Sequence, residues 1–213
     1  MYRMPRPARR VAGPALAAPG RTALIALLAL CAGASVTGCE GGAIAASTPA
    51  SGGQSFVSGS YSTTFFRPGS RPAAPAVRGI TLTGQRLSTR SYRGDVVVLN
   101  FWGSWCAPCR QEAPALAALA RHFRSGHVHF LGVDIRDDQA SAEAFTRTFG
   151  VGYPSLSDPG DEIALQFRST LPPAGIPSTV VLDRSGHVAG RIVGGVSYSG
   201  LKALISEVAA ENS

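Results

Sequence analysis

With 213 residues, 45% of them hydrophobic, the chain is long enough for one domain with a real core plus a tail, and short for two full domains. Its formal charge of +7 raises the question of a nucleic-acid partner, but five of its twenty basic residues (Arg3, Arg6, Arg9, Arg10 and Arg21) fall within residues 1–38, where there is no acid. The remainder carries fifteen basic against thirteen acidic residues and no basic cluster interleaved with aromatics, which argues against nucleic acid as a partner.

The arginine-rich opening runs into an apolar stretch from Thr22 to Ser35, of signal-peptide length and short for a membrane span. It reads as an export signal. Val36-Thr37-Gly38-Cys39 follows and resembles the bacterial lipobox, in which the chain is cut before a cysteine that has received a diacylglyceryl group. Residues 1–38 are therefore expected to be a lipoprotein signal peptide and Cys39 the lipidated residue. An uncleaved anchor helix, or a conventional signal peptide with an incidental cysteine, are the alternatives, and all three put the rest of the chain outside the cytoplasm. At about 0.8 kcal/mol per buried methylene, several acyl chains would hold the protein on a membrane face essentially permanently.

Residues 39–75 are dominated by Gly, Ser, Ala, Thr and Pro, the composition of a flexible tether. Gln54 to Phe66 departs from it, with aromatic and β-branched residues around a Gly-Ser turn that suggest a small hairpin on the domain edge. From residue 76 to 213, strand-like and helix-like signals alternate, the pattern of a single α/β domain. Val96 to Phe101 is a short apolar run suited to a strand buried on both faces. Ala107 to Phe123 is alanine-rich, with Leu116, Leu119 and Phe123 spaced for one buried helix face and with Pro114 expected to kink it. His127 to Asp134 reads as a strand, Ala140 to Phe149 as a helix ended by Gly150, and Asp161 to Phe167 as a short helix. Ser178 to Asp183 and His187 to Val193 flank an Arg-Ser-Gly turn as a β-hairpin, and Ser199 to Ala210 closes the chain as an amphipathic helix capped by Ser199 or Ser197.

Of four cysteines, Cys31 lies in the predicted signal peptide and Cys39 would be alkylated, so Cys106 and Cys109 alone keep free thiols. Zinc would need four ligands, and there is neither a second cysteine pair nor a histidine cluster, since His122, His127, His129 and His187 are scattered; no metal and no bound cofactor are expected. In an oxidising compartment the pair should be redox active. It sits where a buried strand delivers two thiols to the start of a helix. The unpaired amides there favour a thiolate by about 0.3 to 2 kcal/mol, enough to bring Cys106 from about 8.5 to about 7. Cys106, nearer the helix start, is expected to be the attacking thiolate and Cys109 the resolving one. Glu112, three residues beyond Cys109 and on the same face, is a candidate to take or give a proton; a solvated helix glutamate is the alternative.

Residues 76–212 resemble the thioredoxin superfamily, in particular the TlpA/ResA-like membrane-anchored disulfide reductases. The likeness rests on Val97 through Trp102-Gly103-Ser104-Trp105-Cys106-Ala107-Pro108-Cys109, on Pro114, on Leu131-Gly132-Val133-Asp134, and on Gly175-Ile176-Pro177-Ser178-Thr179 before a strand. It implies a thioredoxin-like fold, a central mixed sheet flanked by helices. It also implies that Ile176-Pro177 is a cis peptide facing the cysteines, with the Ile176 backbone pairing to a bound substrate chain and Trp105 and Pro108 beside it; from spacing alone a trans proline in a loop, near Pro172 and Pro173, would be the reading. The group has a glutamate at the position of Glu112. Thioredoxins of the cytoplasm have a buried aspartate where this chain has Asn100, which cannot titrate.

The function so implied is that of an extracytoplasmic disulfide reductase recharged by a membrane thiol or electron donor and acting on exported proteins, with apocytochrome c as a candidate client. A thiol oxidase would use the same residues with the opposite poise. A peroxidase would need a Pro-x-x-x-Thr/Ser-x-x-Cys loop, which is absent, and a lipoprotein that only binds a partner would not depend on Cys106.

Overall fold

The computed structural model describes residues 53–58, 61–171 and 175–211, of which residues 53–58 and 61 are described by their backbone. The expected signal peptide and Cys39 lie outside the described residues, as do Pro172 and Pro173. Thirteen strands and helices follow one another as β1 (Gly53–Ser58), β2 (Tyr61–Phe66), β3 (Arg78–Ile80), β4 (Arg86–Ser88), β5 (Val96–Trp102), α1 (Ala107–His122), β6 (Val128–Ile135), α2 (Gln139–Phe149), β7 (Ser155–Asp158), α3 (Glu162–Gln166), β8 (Ser178–Leu182), β9 (Val188–Val193) and α4 (Tyr198–Ala210).

The apolar run at Val96 becomes the central strand. All seven residues of β5 are buried, and it pairs in parallel with β6 on one edge and antiparallel with β8 on the other. The full sheet has the order β1-β2-β9-β8-β5-β6-β7, with β3 and β4 forming a separate two-stranded ladder. This is the α/β class expected, a mixed sheet flanked by helices. Alternation along β5 feeds two cores. Val97, Leu99 and Phe101 pack with Leu131, Val133, Phe167 and Val180 on one face, while Val96 and Val98 pack with Leu116, Leu119, Leu201, Leu204 and Ile205 of α1 and α4 on the other.

Helix ends follow local chemistry. Asp138 caps α2 by accepting from the Ser141 N–H at 2.9 Å, and Gly150 ends that helix in the left-handed region at φ 63°. Ser197 caps α4, its hydroxyl accepting from the Gly200 N–H. α1 runs continuously through Pro114. The β1–β2 hairpin covers the aromatic segment before residue 67, and β2 joins the main sheet by pairing with β9. Downstream, the half-buried Arg71 forms a double ion pair with Asp183 and Glu211, so the segment leading out of the hairpin is fastened to the end of α4.

Four elements are absent from the sequence reading. β7 is only Ser155-Leu156-Ser157-Asp158, too short and polar to read as a strand, and it exists because the exposed edge of β6 recruits it in parallel register. β3 and β4 have three residues each, and a 3-10 turn spans Thr89–Tyr92.

Gly132 on β6 lies opposite Asn100 and is tightly covered. A Cβ there would overlap the Ser155 hydroxyl and come within 2.7 Å of the Trp102 indole nitrogen. Gly132→Ala should therefore cost about 1–3 kcal/mol, read as a lower urea midpoint of the full chain at unchanged slope, and Gly132→Ala combined with Ser155→Gly should recover part of the loss.

Candidate active site

The loop after β5 places Cys106 as the N-cap of α1 and Cys109 in its first turn. The two are joined by a disulfide, and the Cys109 N–H donates to Cys106 Sγ at 3.2 Å. Cys106 is 5% and Cys109 1% exposed, so Cys106 is the more accessible of the two, although both are buried. The first turn of α1 contains no acidic side chain to cancel the positive end of the helix. Trp102, Ala113, Ala142 and Phe145 pack around the disulfide, with the Trp102 ring stacked on Phe145 at 4.3 Å.

Ile176–Pro177 is a cis peptide immediately before β8. Because β8 runs antiparallel to β5 with Ser178 opposite Phe101, this proline is delivered to the end of β5 from which the cysteine loop departs. Pro108, Gln111, Glu112, Ile176, Pro177 and Gly194 share a cleft of about 510 Å³. Four of the expected site residues, Pro108, Glu112, Ile176 and Pro177, thus meet around one opening. Trp105 stands apart from that lining. It is 52% exposed, its indole N–H donates to the Arg136 carbonyl at 3.1 Å, and the Arg136 guanidinium lies 5.2 Å over its ring.

Glu112 is buried, 4% exposed, rather than solvated. Asn100 Nδ2 donates to its Oε1 and the Val196 backbone N–H to its Oε2, each at 2.8 Å, and the same Asn100 amide reaches Thr179 Oγ1 at 3.2 Å. Burial pushes the Glu112 carboxyl up to about 7 against the lowering effect of these two hydrogen bonds. Asn100, which does not titrate, serves as a donor that orients the Glu112 carboxyl. On the other flank, Asp134 lies beside Trp102 across the β5–β6 ladder, and burial together with Asp137, Asp138 and Asp158 pushes it up to about 8. Asp134 formed part of a recognisable motif, but nothing in its spacing distinguished it as a buried acid. The only signal was an acid near the end of a largely apolar strand.

Among the described residues no group of three or more His, Cys, Asp or Glu side chains is arranged to hold a metal ion. What the arrangement can do is exchange disulfides. A buried strand ends in Trp-Cys-x-Pro-Cys at a helix N-terminus, faced by a cis-proline before an antiparallel strand, and this defines a thioredoxin-fold protein with a paired-cysteine site. The chain belongs to the AhpC/TSA family, whose model matches residues 71–191. It is 32% identical over 113 residues to the thiol-disulfide oxidoreductase ResA of Geobacillus kaustophilus, an alignment covering 53% of this chain and 63% of that one. It is 36% identical over 124 residues to the thiol:disulfide interchange protein HelX of Rhodobacter capsulatus, covering 57% and 66%. The chain thus spans a little under two thirds of the length of these two relatives. Among solved structures, a DsbF homologue from Corynebacterium diphtheriae superposes with a TM-score of 0.64 at 32% identity, covering 68% of this chain and 92% of that one.

The unfolded chain releases the Glu112 proton near 4.5 and the folded chain only near 7, so between these values the folded state binds more protons and stability falls as pH rises. Glu112→Gln cannot ionise and abolishes that fall, but it offers one acceptor to two N–H donors. Urea unfolding of the full chain should show the variant about 1 kcal/mol less stable than its parent near pH 4 and the more stable of the two above about pH 8. A difference constant across this range would mean that Glu112 titrates as an ordinary surface carboxylate.

Proposed function

We propose that the protein is an extracytoplasmic thiol-disulfide oxidoreductase that works as a disulfide reductase on exported proteins. The observation that carries this reading is the Cys106–Cys109 disulfide at the N-terminus of α1, opening beside the cleft that Glu112 and the Ile176–Pro177 segment share. In the dithiol form, the Cys106 thiolate attacks one sulfur of a client disulfide, forming a mixed disulfide and releasing the other client sulfur as a thiolate. Glu112, one helical turn beyond Cys109, takes up the Cys109 proton. The Cys109 thiolate then attacks Cys106 Sγ, which closes the intramolecular disulfide and expels the reduced client. Two electrons pass to the client, and a membrane thiol donor returns them by the same exchange in reverse.

The Ile176 backbone, with Pro108 along the cleft, is the surface against which an extended client segment would lie, and Trp105 would shield the opposite rim. No further cofactor enters this scheme. The apolar segment and Cys39 near the N-terminus support lipid anchoring on the outer face of a membrane. The likeness to the TlpA/ResA-like group makes apocytochrome c, with its Cys-x-x-Cys-His haem site, the client to test first.

The direction of electron flow is set by the reduction potential. The full chain equilibrated against dithiothreitol and glutathione buffers, with thiol alkylation as readout, should give about −250 mV or lower; a value near about −120 mV would reverse the assignment to a disulfide donor. Cys106→Ser should abolish exchange. Cys109→Ser should accumulate the client as a mixed disulfide on Cys106, and an active Cys106→Ser variant would point instead to a lipoprotein that only binds its partner.

A further inference from the structure

Ser104, two residues before Cys106, has both of its backbone groups held by charged side chains from different elements. Its N–H donates to Asp137 Oδ2 at 2.6 Å, and its carbonyl accepts from Arg110 Nη1 at 2.9 Å. Asp137 belongs to the loop between β6 and α2, and Arg110 to the first turns of α1. The rest of this short loop is closely packed on the same neighbour. A Cβ on Gly103 would lie 2.7 Å from the Trp105 ring nitrogen and 3.2 Å from the Ile135 carbonyl, and the Trp105 indole is already bonded to the Arg136 carbonyl. Asp137 is itself fixed: its Oδ1 accepts from the Asp138 N–H at 3.0 Å.

We propose that Asp137 and Arg110 are positioning residues for thiol-disulfide exchange, gripping Ser104 by its N–H and its carbonyl and so fixing the loop that presents Cys106 at the start of α1. The inference rests on Cys106 being the attacking thiol. Hydrogen bonds to ionised groups are roughly twice as strong as neutral ones, and misplacing a reacting atom by about 1 Å can cost on the order of a hundredfold in rate. The two grips also carry opposite charges. Arg110 lies four residues beyond Cys106 on the same helix face and favours its thiolate, whereas Asp137, bonded two residues upstream, disfavours it. Loosening the loop is thus common to both residues, while the effect on the thiol is opposite in sign. A purely structural role would not produce that split.

The test uses the full chain with Asp137→Ala, Asp137→Asn and Arg110→Gln variants. Two quantities are read: the rate of reduction of oxidised glutathione, and the pH profile of Cys106 alkylation by iodoacetamide in the reduced protein, followed by peptide mass. Asp137→Ala and Arg110→Gln should each slow glutathione reduction about tenfold, and Asp137→Asn, which keeps an acceptor oxygen, should slow it less than threefold. The Cys106 profile should move down by roughly half a unit in both Asp137 variants and up by roughly half a unit in Arg110→Gln. Rates and profiles equal to the parent, or profiles displaced in the same direction by all three variants, would overturn the proposal. Should the parent chain fail to reduce glutathione at all, the reductase reading falls, and the alkylation profiles still decide whether these residues act on Cys106.

Discussion

Everything in this molecule that concerns the cysteines follows from a strand that has no contact with water. β5 is buried along its full length and must therefore satisfy its backbone on both edges, which it does with β6 in parallel and β8 antiparallel. A slip of one residue would turn an entire apolar set to the wrong core, so the register is strongly specified. Once it is set, the end of β5, the start of β8 and the end of β6 occupy one corner of the sheet. The cysteine loop, the cis-proline and the Asp134–Asp137 loop are the three segments that leave from that corner. Residues about seventy apart in sequence meet because strand pairing leaves them nowhere else to go.

The chemistry around the disulfide is set by competition between burial and hydrogen bonding. Glu112 is held by donors from β5 and from the loop before α4, yet so little water reaches it that its proton is retained near neutral pH. Asp134, beside Trp102 in the β5–β6 ladder, is also driven toward its neutral form. Two carboxyls that hold protons near neutrality thus stand near the disulfide, one on the helix that carries Cys109 and one beside Trp102, and the helix N-terminus favours negative sulfur.

Much of this was legible from local pattern. The run at Val96, the alanine-rich helix after the cysteines, Gly150 as a helix stop and the Arg-Ser-Gly turn are features whose cause lies within a few residues, and each occupies the place the sequence suggests. Ser197, rather than Ser199, caps α4, because the cap must precede the first helical residue, Tyr198. What was not legible depends on neighbours distant in the chain. β7 is a strand only because β6 has a free edge. The burial of Glu112 depends on Asn100 and Val196, which no helical spacing could reveal. Asp137 looks like a surface acid until Ser104 is brought against it.

The Arg71 ion pairs and the order of the sheet have a mechanical consequence. A pull on the chain from upstream of residue 53 enters the sheet at β1, an outermost strand, and β2, β9 and β8 stand between it and β5. Arg71 then diverts part of that load into the end of α4 through Asp183 and Glu211. Tension on the leading segment therefore meets the β1–β2 ladder first, and three strands stand between that outermost strand and the one that carries the cysteine loop.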